Sequence, residues 1–192
     1  MNLSGENIPS LSVDIMSILK KSAIKNAVRY SWWPPKESTD ECDIQDSDVF
    51  SYTEGPLLVY MESGEVVGFS SDESKNSIVV WLEKDADGNI HEEDIENDNE
   101  LFPISYNEKS YSGGVWNTIA GRRIVKVTLI KRSPQTVKYE DLPNEVGVLL
   151  TIENGSEFYL CHQLCGKSTN FSATDKNGLE EKLLDQLSFM EI

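Results

Sequence analysis

The chain has 192 residues, with 33 Asp and Glu against 17 Lys and Arg, a formal net charge of −16 and an isoelectric point near 4.4. With 39% hydrophobic residues it can bury a core, which excludes wholesale disorder. The acidity argues against nucleic-acid binding, which needs clustered Lys and Arg to neutralise phosphates, and no apolar run approaches the roughly 20 residues of a membrane span.

The opening MNLSGENIPS has neither the basic nor the apolar region of a signal peptide, so a cytoplasmic location is expected. Cys42, Cys161 and Cys165, an odd set, then read as reduced thiols. Residues 10–28 read as one amphipathic helix, with Leu11, Ile15, Ile18, Leu19, Ala23 and Ala27 near helical spacing and Ser10 as N-cap. It should end near Arg29, because Pro34 disfavours the helical basin at Trp33. The adjacent Trp32 and Trp33 cannot both enter one core by simple strand alternation, and Trp is enriched at binding hot spots.

Next come LLVYM (57–61) and VVGF (66–69), joined by a turn containing Gly64, which is a hairpin signature. SIVVWL (77–82) is a further strand, and residues 119–131 alternate as another. VGVLLTI (146–152) leads through Asn154-Gly155 into EFYLCH, and Asn-Gly between apolar runs is a strong hairpin signal. Residues 178–187 carry Leu179, Leu183, Leu184 and Leu187 on one helical stripe. The expected fold class is α+β: antiparallel β-rich sheets with an N-terminal amphipathic helix and a short C-terminal helix, in a single compact domain over 1–192. Residues 57–69 align with 148–160 at a shift of 91, matching at Leu58/Leu149, Glu62/Glu153 and Gly64/Gly155. That match raises a division into two β-rich halves, 1–100 and 101–192.

The charge is concentrated. Residues 36–100 hold twenty acids and three bases, while the remainder holds thirteen acids and fourteen bases. One dense run includes Asp40, Glu41, Asp43, Asp46 and Asp48; a second includes Asp85, Asp87, Glu92, Glu93 and Asp94. Blocks of like charge read as solvated loops or as surfaces that meet a basic partner. The candidate partner-binding residues are therefore Trp32, Trp33, Asp40, Glu41, Asp43, Asp46 and Asp48 in one patch, and Asp85, Asp87, Glu92, Glu93 and Asp94 in the other.

Chemistry-bearing motifs are few. Residues 83–94 resemble a calcium-binding EF-hand loop, with acids at Glu83, Asp85, Asp87 and Asp94 around Gly88. However, Glu83 replaces the usual Asp, Asp94 replaces the bidentate Glu, and the preceding segment reads as a strand. An Asp-Gly turn closing a hairpin accounts for it equally. Cys161-His162-x-x-Cys165 lacks the four ligands of a zinc site, and strand alternation would place Cys161 inward and His162 outward. No phosphate-binding or dinucleotide loop is present, and neither histidine lies in a triad motif. No enzyme activity, metal or cofactor is expected.

At EGPLLVYMESGEVVGFSSDESKNSIVVW and again at LPNEVGVLLTIENGSEFYL, the chain resembles bacterial toxin-immunity proteins, the antidotes to polymorphic or contact-dependent toxins. The resemblance implies an acidic, hairpin-rich α+β protein that binds one cognate toxin, here a basic nuclease-type toxin, and occludes it stoichiometrically. It implies a monomer or weak homodimer, with no nucleic-acid or membrane partner. No residue role is carried over. A self-assembling or phage-type structural β-module and a calcium-responsive binding module are the alternatives.

Overall fold

A computed structural model describes residues 7–91, 94–168 and 170–192. The chain folds as two five-stranded antiparallel sheets packed face to face, with a few short helices. The first sheet has the order β4-β3-β2-β1-β5, from β1 (Ile24–Ser31), β2 (Leu57–Met61), β3 (Val66–Asp72), β4 (Ser77–Lys84) and β5 (Phe102–Ser105). The second has the order β10-β6-β7-β8-β9, from β6 (Ile124–Arg132), β7 (Gly147–Ile152), β8 (Glu157–His162), β9 (Phe171–Thr174) and β10 (Leu187–Glu191). The class is α+β with antiparallel β-rich sheets. Among the described residues, no helix is long and apolar enough to cross a membrane.

The space between the sheets is filled from both sides. Leu57, Val59, Val67, Phe69 and Val80 of the first sheet join Val148, Leu150, Phe158, Leu160 and Phe171 of the second in one buried cluster. Trp116, from the connection between β5 and β6, wedges in with its ring centroid 4.9 Å from Phe50 and 4.7 Å from Phe158.

Strands such as LLVYM are apolar on both faces because the outer faces are covered as well. Ile95 and Leu101, after β4, lie over Leu58, Val79 and Trp81. Leu164, Leu179 and Leu183, after β8, lie over Ile130, Leu149, Tyr159 and Cys161. Glu83 fastens the first cover: it is buried, and its carboxylate accepts hydrogen bonds from Trp81 Nε1 (2.7 Å) and the Ile95 amide (2.9 Å). Burial holds its carboxyl above the usual range.

The two sheets repeat one plan. Read from opposite ends, each is a four-strand meander with a fifth strand added beside its first. A bulge follows Ile24 in β1 and Ile124 in β6. The β2–β3 turn closes with Met61 N–H to Glu65 O (2.9 Å) and Gly64 N–H to Met61 O (3.1 Å); the β7–β8 turn closes with Ile152 N–H to Ser156 O (2.9 Å) and Gly155 N–H to Ile152 O (2.8 Å). Gly64 and Gly155 both take positive φ, 106° and 86°, where a Cβ would be strained. Ala23 and Arg123, each just ahead of its bulge, pair with one another in an antiparallel bridge. Residues 57–69 and 148–160 thus hold equivalent places, and the first sheet extends to Ser105.

Three local expectations are corrected. The helix read over 10–28 is only a 3-10 turn, Pro9–Leu11, and α1, Val13–Ile18; the rest is β1. Pairing of Ile24, Ala27 and Val28 with Met61, Val59 and Leu58 outweighs the helical spacing of the alanines. The C-terminal helix is confined to α4, Glu181–Leu184, because Leu187–Glu191 adds a strand to β6. His162 does not point outward: it is 1% exposed and shares the inter-sheet face of β8 with Phe158 and Leu160, while Cys161, expected inward, faces the buried cover on the outer side.

Burial pulls the His162 imidazole down to about 4 from its ordinary 6.5. The folded chain therefore refuses a proton that the unfolded chain accepts as pH falls from 6.5 to 4, and stability drops over that window. At pH 4 the loss is about 3 kcal/mol. Urea unfolding of wild type and His162→Gln at both pH values should show the wild type losing that much more than the variant.

Candidate functional site

The connection from β1 to β2 is the longest between paired strands of the first sheet and folds over one end of the sandwich. It runs through Trp32 and Trp33 into α2 (Pro35–Glu41), a 3-10 turn (Asp46–Asp48) and α3 (Val49–Tyr52). Pro35 suits the first turn of α2, where its missing N–H costs nothing. A buried cluster of hydroxyls seats the connection. Ser31 Oγ lies 2.9 Å from Ser38 Oγ and 2.7 Å from Thr53 Oγ1, and accepts from the Trp33 amide at 3.2 Å. Gly55 closes it with φ 124°; a Cβ there would fall 1.9 Å from the Tyr30 carbonyl oxygen.

Beneath this connection lies Arg29, fully buried on β1. Its Nη2 donates to the carbonyls of Thr53 and Phe171 (the latter at 2.8 Å), and its guanidinium stacks 4.5 Å above the Phe171 ring. One side chain thus joins the first sheet, the β1–β2 connection and β9. Among the described residues, Nε and Nη1 have no hydrogen-bond partner. Burial lowers the guanidinium to about 9, with Cys42, Cys161 and Glu54 opposing the shift. It remains a cation at neutral pH.

Above Arg29 a groove crosses this end of the molecule. A cavity of about 340 Å³ lies between Glu41, Asp43 and Glu54 on one side and Lys167 on the other, with Tyr52 and Cys42 in its lining. Past Tyr52 and Lys167 it continues into a cavity of about 380 Å³ reaching Asp175 and Glu180. Past Glu54 it meets a third, of about 260 Å³, lined by Trp32, Glu73, Asn170 and Phe171. Trp32 is 43% exposed at this end.

The groove is acidic. Glu41, Asp43, Glu54, Glu73, Asp175 and Glu180 line it against one base, Lys167. Lys167 is itself engaged by Asp48 at 2.6 Å and lies 5.4 Å from the Tyr52 ring centroid. Glu54 accepts from Asn170 Nδ2 at 3.0 Å, which links the two sheets across the groove floor. The Tyr52 hydroxyl bonds Thr174 Oγ1 at 2.9 Å, and burial pushes its phenol up to about 12, so it stays neutral.

The structure brings together part of the first expected patch. Trp32, Glu41 and Asp43 line the groove, and Asp48 holds its lysine. Trp33 is half-buried beside the hydroxyl cluster, while Asp40 and Asp46 are exposed on α2 and the following turn. The second patch lies elsewhere: Asp85, Asp87 and Asp94 sit between β4 and the cover of the first sheet, and none lines the groove. Glu92 and Glu93 lie outside the described residues.

Asp85 is spent on its own turn. It accepts from the amides of Asp87 (3.0 Å) and Asn89 (2.9 Å) and from Asn89 Nδ2 (2.9 Å), and bonds His91 Nε2 at 3.0 Å. These contacts hold its carboxyl well below the usual range. With Glu83 turned into the interior, the arrangement is that of a hairpin turn. Among the described residues, no cluster of three or more His, Cys, Asp or Glu is placed to hold a metal ion.

Glu54, Glu73, Asp175 and Glu180 come from separate segments, and no pattern along the chain joins them. Arg29 carried one signal, a base inside the otherwise apolar AVRY. Compared with protein-family models, with curated proteins and with solved structures, the chain matches none.

Arg29 costs desolvation while fixing geometry, so volume and charge should separate by mutation. Arg29→Ala leaves a cavity and two orphaned carbonyls and should lose about 3 kcal/mol in urea unfolding. Arg29→Met keeps the volume and removes the buried charge but orphans the same two carbonyls, so it should lose less than Arg29→Ala, about 1–2 kcal/mol. In Arg29→Met, amide exchange over residues 53–56 should nevertheless quicken, because the link from the Thr53 carbonyl through Arg29 to the Phe171 carbonyl is gone.

Proposed function

We propose that this chain is an immunity protein, which binds a cognate basic toxin through the acidic groove and occludes it stoichiometrically in the cytoplasm. The observation that carries this reading is the groove itself: six carboxylates from four separate parts of the chain line one continuous cleft with a single, already paired lysine. Such a surface attracts a basic partner from a distance and repels acidic ones. Trp32, exposed at one end, supplies an amphipathic anchor of the kind that dominates binding energy at interfaces.

The test is a rescue assay with the reading frame adjacent to this one. Expressed alone it should arrest bacterial growth; co-expressed with this protein it should be harmless, and the two should copurify one to one. Reversing Glu41, Asp43 and Glu54 together to Lys should weaken binding by at least 100-fold, an expectation of roughly 3 kcal/mol. Rescue that survives this triple reversal would overturn the groove as the binding site.

A structural, self-assembling module is favoured by one observation. β10 is an edge strand with Phe189 and Met190 about half exposed, and it contains neither the proline nor the lysine that usually guards an edge. On this second reading the protein forms oligomers on a sizing column without any partner, and Phe189→Lys returns it to monomer.

A further inference from the structure

Two of the three cysteines meet beside the groove. Cys161 lies on β8 and faces the cluster on the outer side of the second sheet. Cys165 follows β8 and starts the turn whose Gly166 and Lys167 form one wall of the groove. Their sulfur atoms are 3.5 Å apart. Cys165 also makes isolated bridges to Ser168 and Leu179, which tie its turn to the segment that carries Leu179. The third cysteine, Cys42, lines the groove separately and is only partly buried.

We propose that Cys161 and Cys165 form a reversible dithiol–disulfide site, oxidised by hydrogen peroxide or by a small organic disulfide. A disulfide needs sulfur atoms about 2.05 Å apart. The remaining approach is about 1.5 Å, within reach of side-chain rotation in a turn that belongs to no named strand. The surroundings favour a division of labour. Donation from the Cys161 thiol draws the Cys165 thiol down and holds Cys161 up. The Arg29 cation adds a positive field at Cys161. Cys165, 5% exposed and next to an exposed turn, is the sulfur that an oxidant reaches first.

With peroxide, the Cys165 thiolate attacks one oxygen, the O–O bond breaks, and the departing hydroxide takes a proton to become water. Cys165 is left as a sulfenic acid. The Cys161 sulfur then attacks the Cys165 sulfur, the S–O bond breaks, and the hydroxide leaves as water with the Cys161 proton. Two thiols and one peroxide give one disulfide and two waters; the sulfurs lose two electrons and the peroxide gains them. With an organic disulfide, Cys165 displaces one thiolate to form a mixed disulfide, and Cys161 displaces the second. Excess thiol runs the exchange backward. The bond would fix the Gly166–Lys167 wall to β8. This proposal does not depend on the identity of any binding partner.

The experiment uses the native full-length protein. It is treated with hydrogen peroxide or oxidised glutathione, quenched, unfolded, alkylated with iodoacetamide and weighed. The expected result is one alkylated thiol of three, a mass about 2 Da lower before alkylation, a linked peptide joining Cys161 to Cys165, and reversal by dithiothreitol. Cys42→Ser should oxidise identically. Cys161→Ser should stop at Cys165 sulfenic acid, trapped by dimedone, or at its glutathione adduct. Should that variant not fold, the wild-type mass and peptide map decide alone. The proposal is overturned if native protein keeps three alkylatable thiols under oxidant that links Cys161 and Cys165 in urea, or if Cys42 is the only residue modified.

Discussion

A guanidinium with no route to solvent holds this end of the molecule together. Arg29 starts on the first sheet, donates to a carbonyl in the β1–β2 connection and to one on β9, and lies flat on the Phe171 ring. Burying a cation without a carboxylate in contact is expensive, and the fall of its pKa to about 9 is the sign of that cost. What it provides is position. Thr53 and Phe171 flank the residues that form the groove floor, so the spacing of Glu54 and Asn170 depends on where Arg29 puts the backbone.

The same end is where the repeated plan breaks. The meanders match in order, in bulge and in turn, yet β1 reaches β2 through 25 residues, 32–56, while β6 reaches β7 through 14, 133–146. The longer connection carries Trp32, the hydroxyl cluster and the acids Glu41, Asp43 and Glu54. The second sheet answers with Lys167, Asp175 and Glu180 from the segments that cover its outer face. The repeated sheets supply a rigid frame, and the unequal connections supply the surface. Loops held on such a frame are where binding residues ordinarily sit.

This division explains what could be read along the chain. The hairpins at 57–69 and 148–160 were legible, because a glycine with positive φ between apolar runs is a local instruction. The segment 10–28 misled because Ala23 and Ala27 satisfy a helical stripe while Ile24 and Val28 equally suit a strand, and only the distant Met61 and Leu58 decide between them. Leu187 was read on a helical stripe and proves to pair with Arg132. Alternation does set His162 opposite Cys161, but with the reverse phase: Cys161 faces the outer cover, and His162 shares the inter-sheet face with Phe158 and Leu160, which the sequence of β8 alone does not decide. Of the groove, the run through Glu41 and Asp43 was visible as charge density. Glu73 and Glu180 stand more than a hundred residues apart and come to opposite ends of the groove only through the fold.

The acids in the groove repel one another, and the folded state tolerates this for two physical reasons. Most stay in contact with water, which screens them over about 8–10 Å at moderate salt. The fixed positive charge of Arg29 lies beneath the groove and attracts one of its acids, Glu54. The cation therefore opposes the repulsion from below without occupying the cleft. The upper side of the groove keeps its negative field, and among the described residues the one base that lines it, Lys167, is already committed to Asp48. A surface balanced in this way is stable when empty and still attractive to positive charge. On the immunity reading, that combination lets the fold exist before its partner arrives.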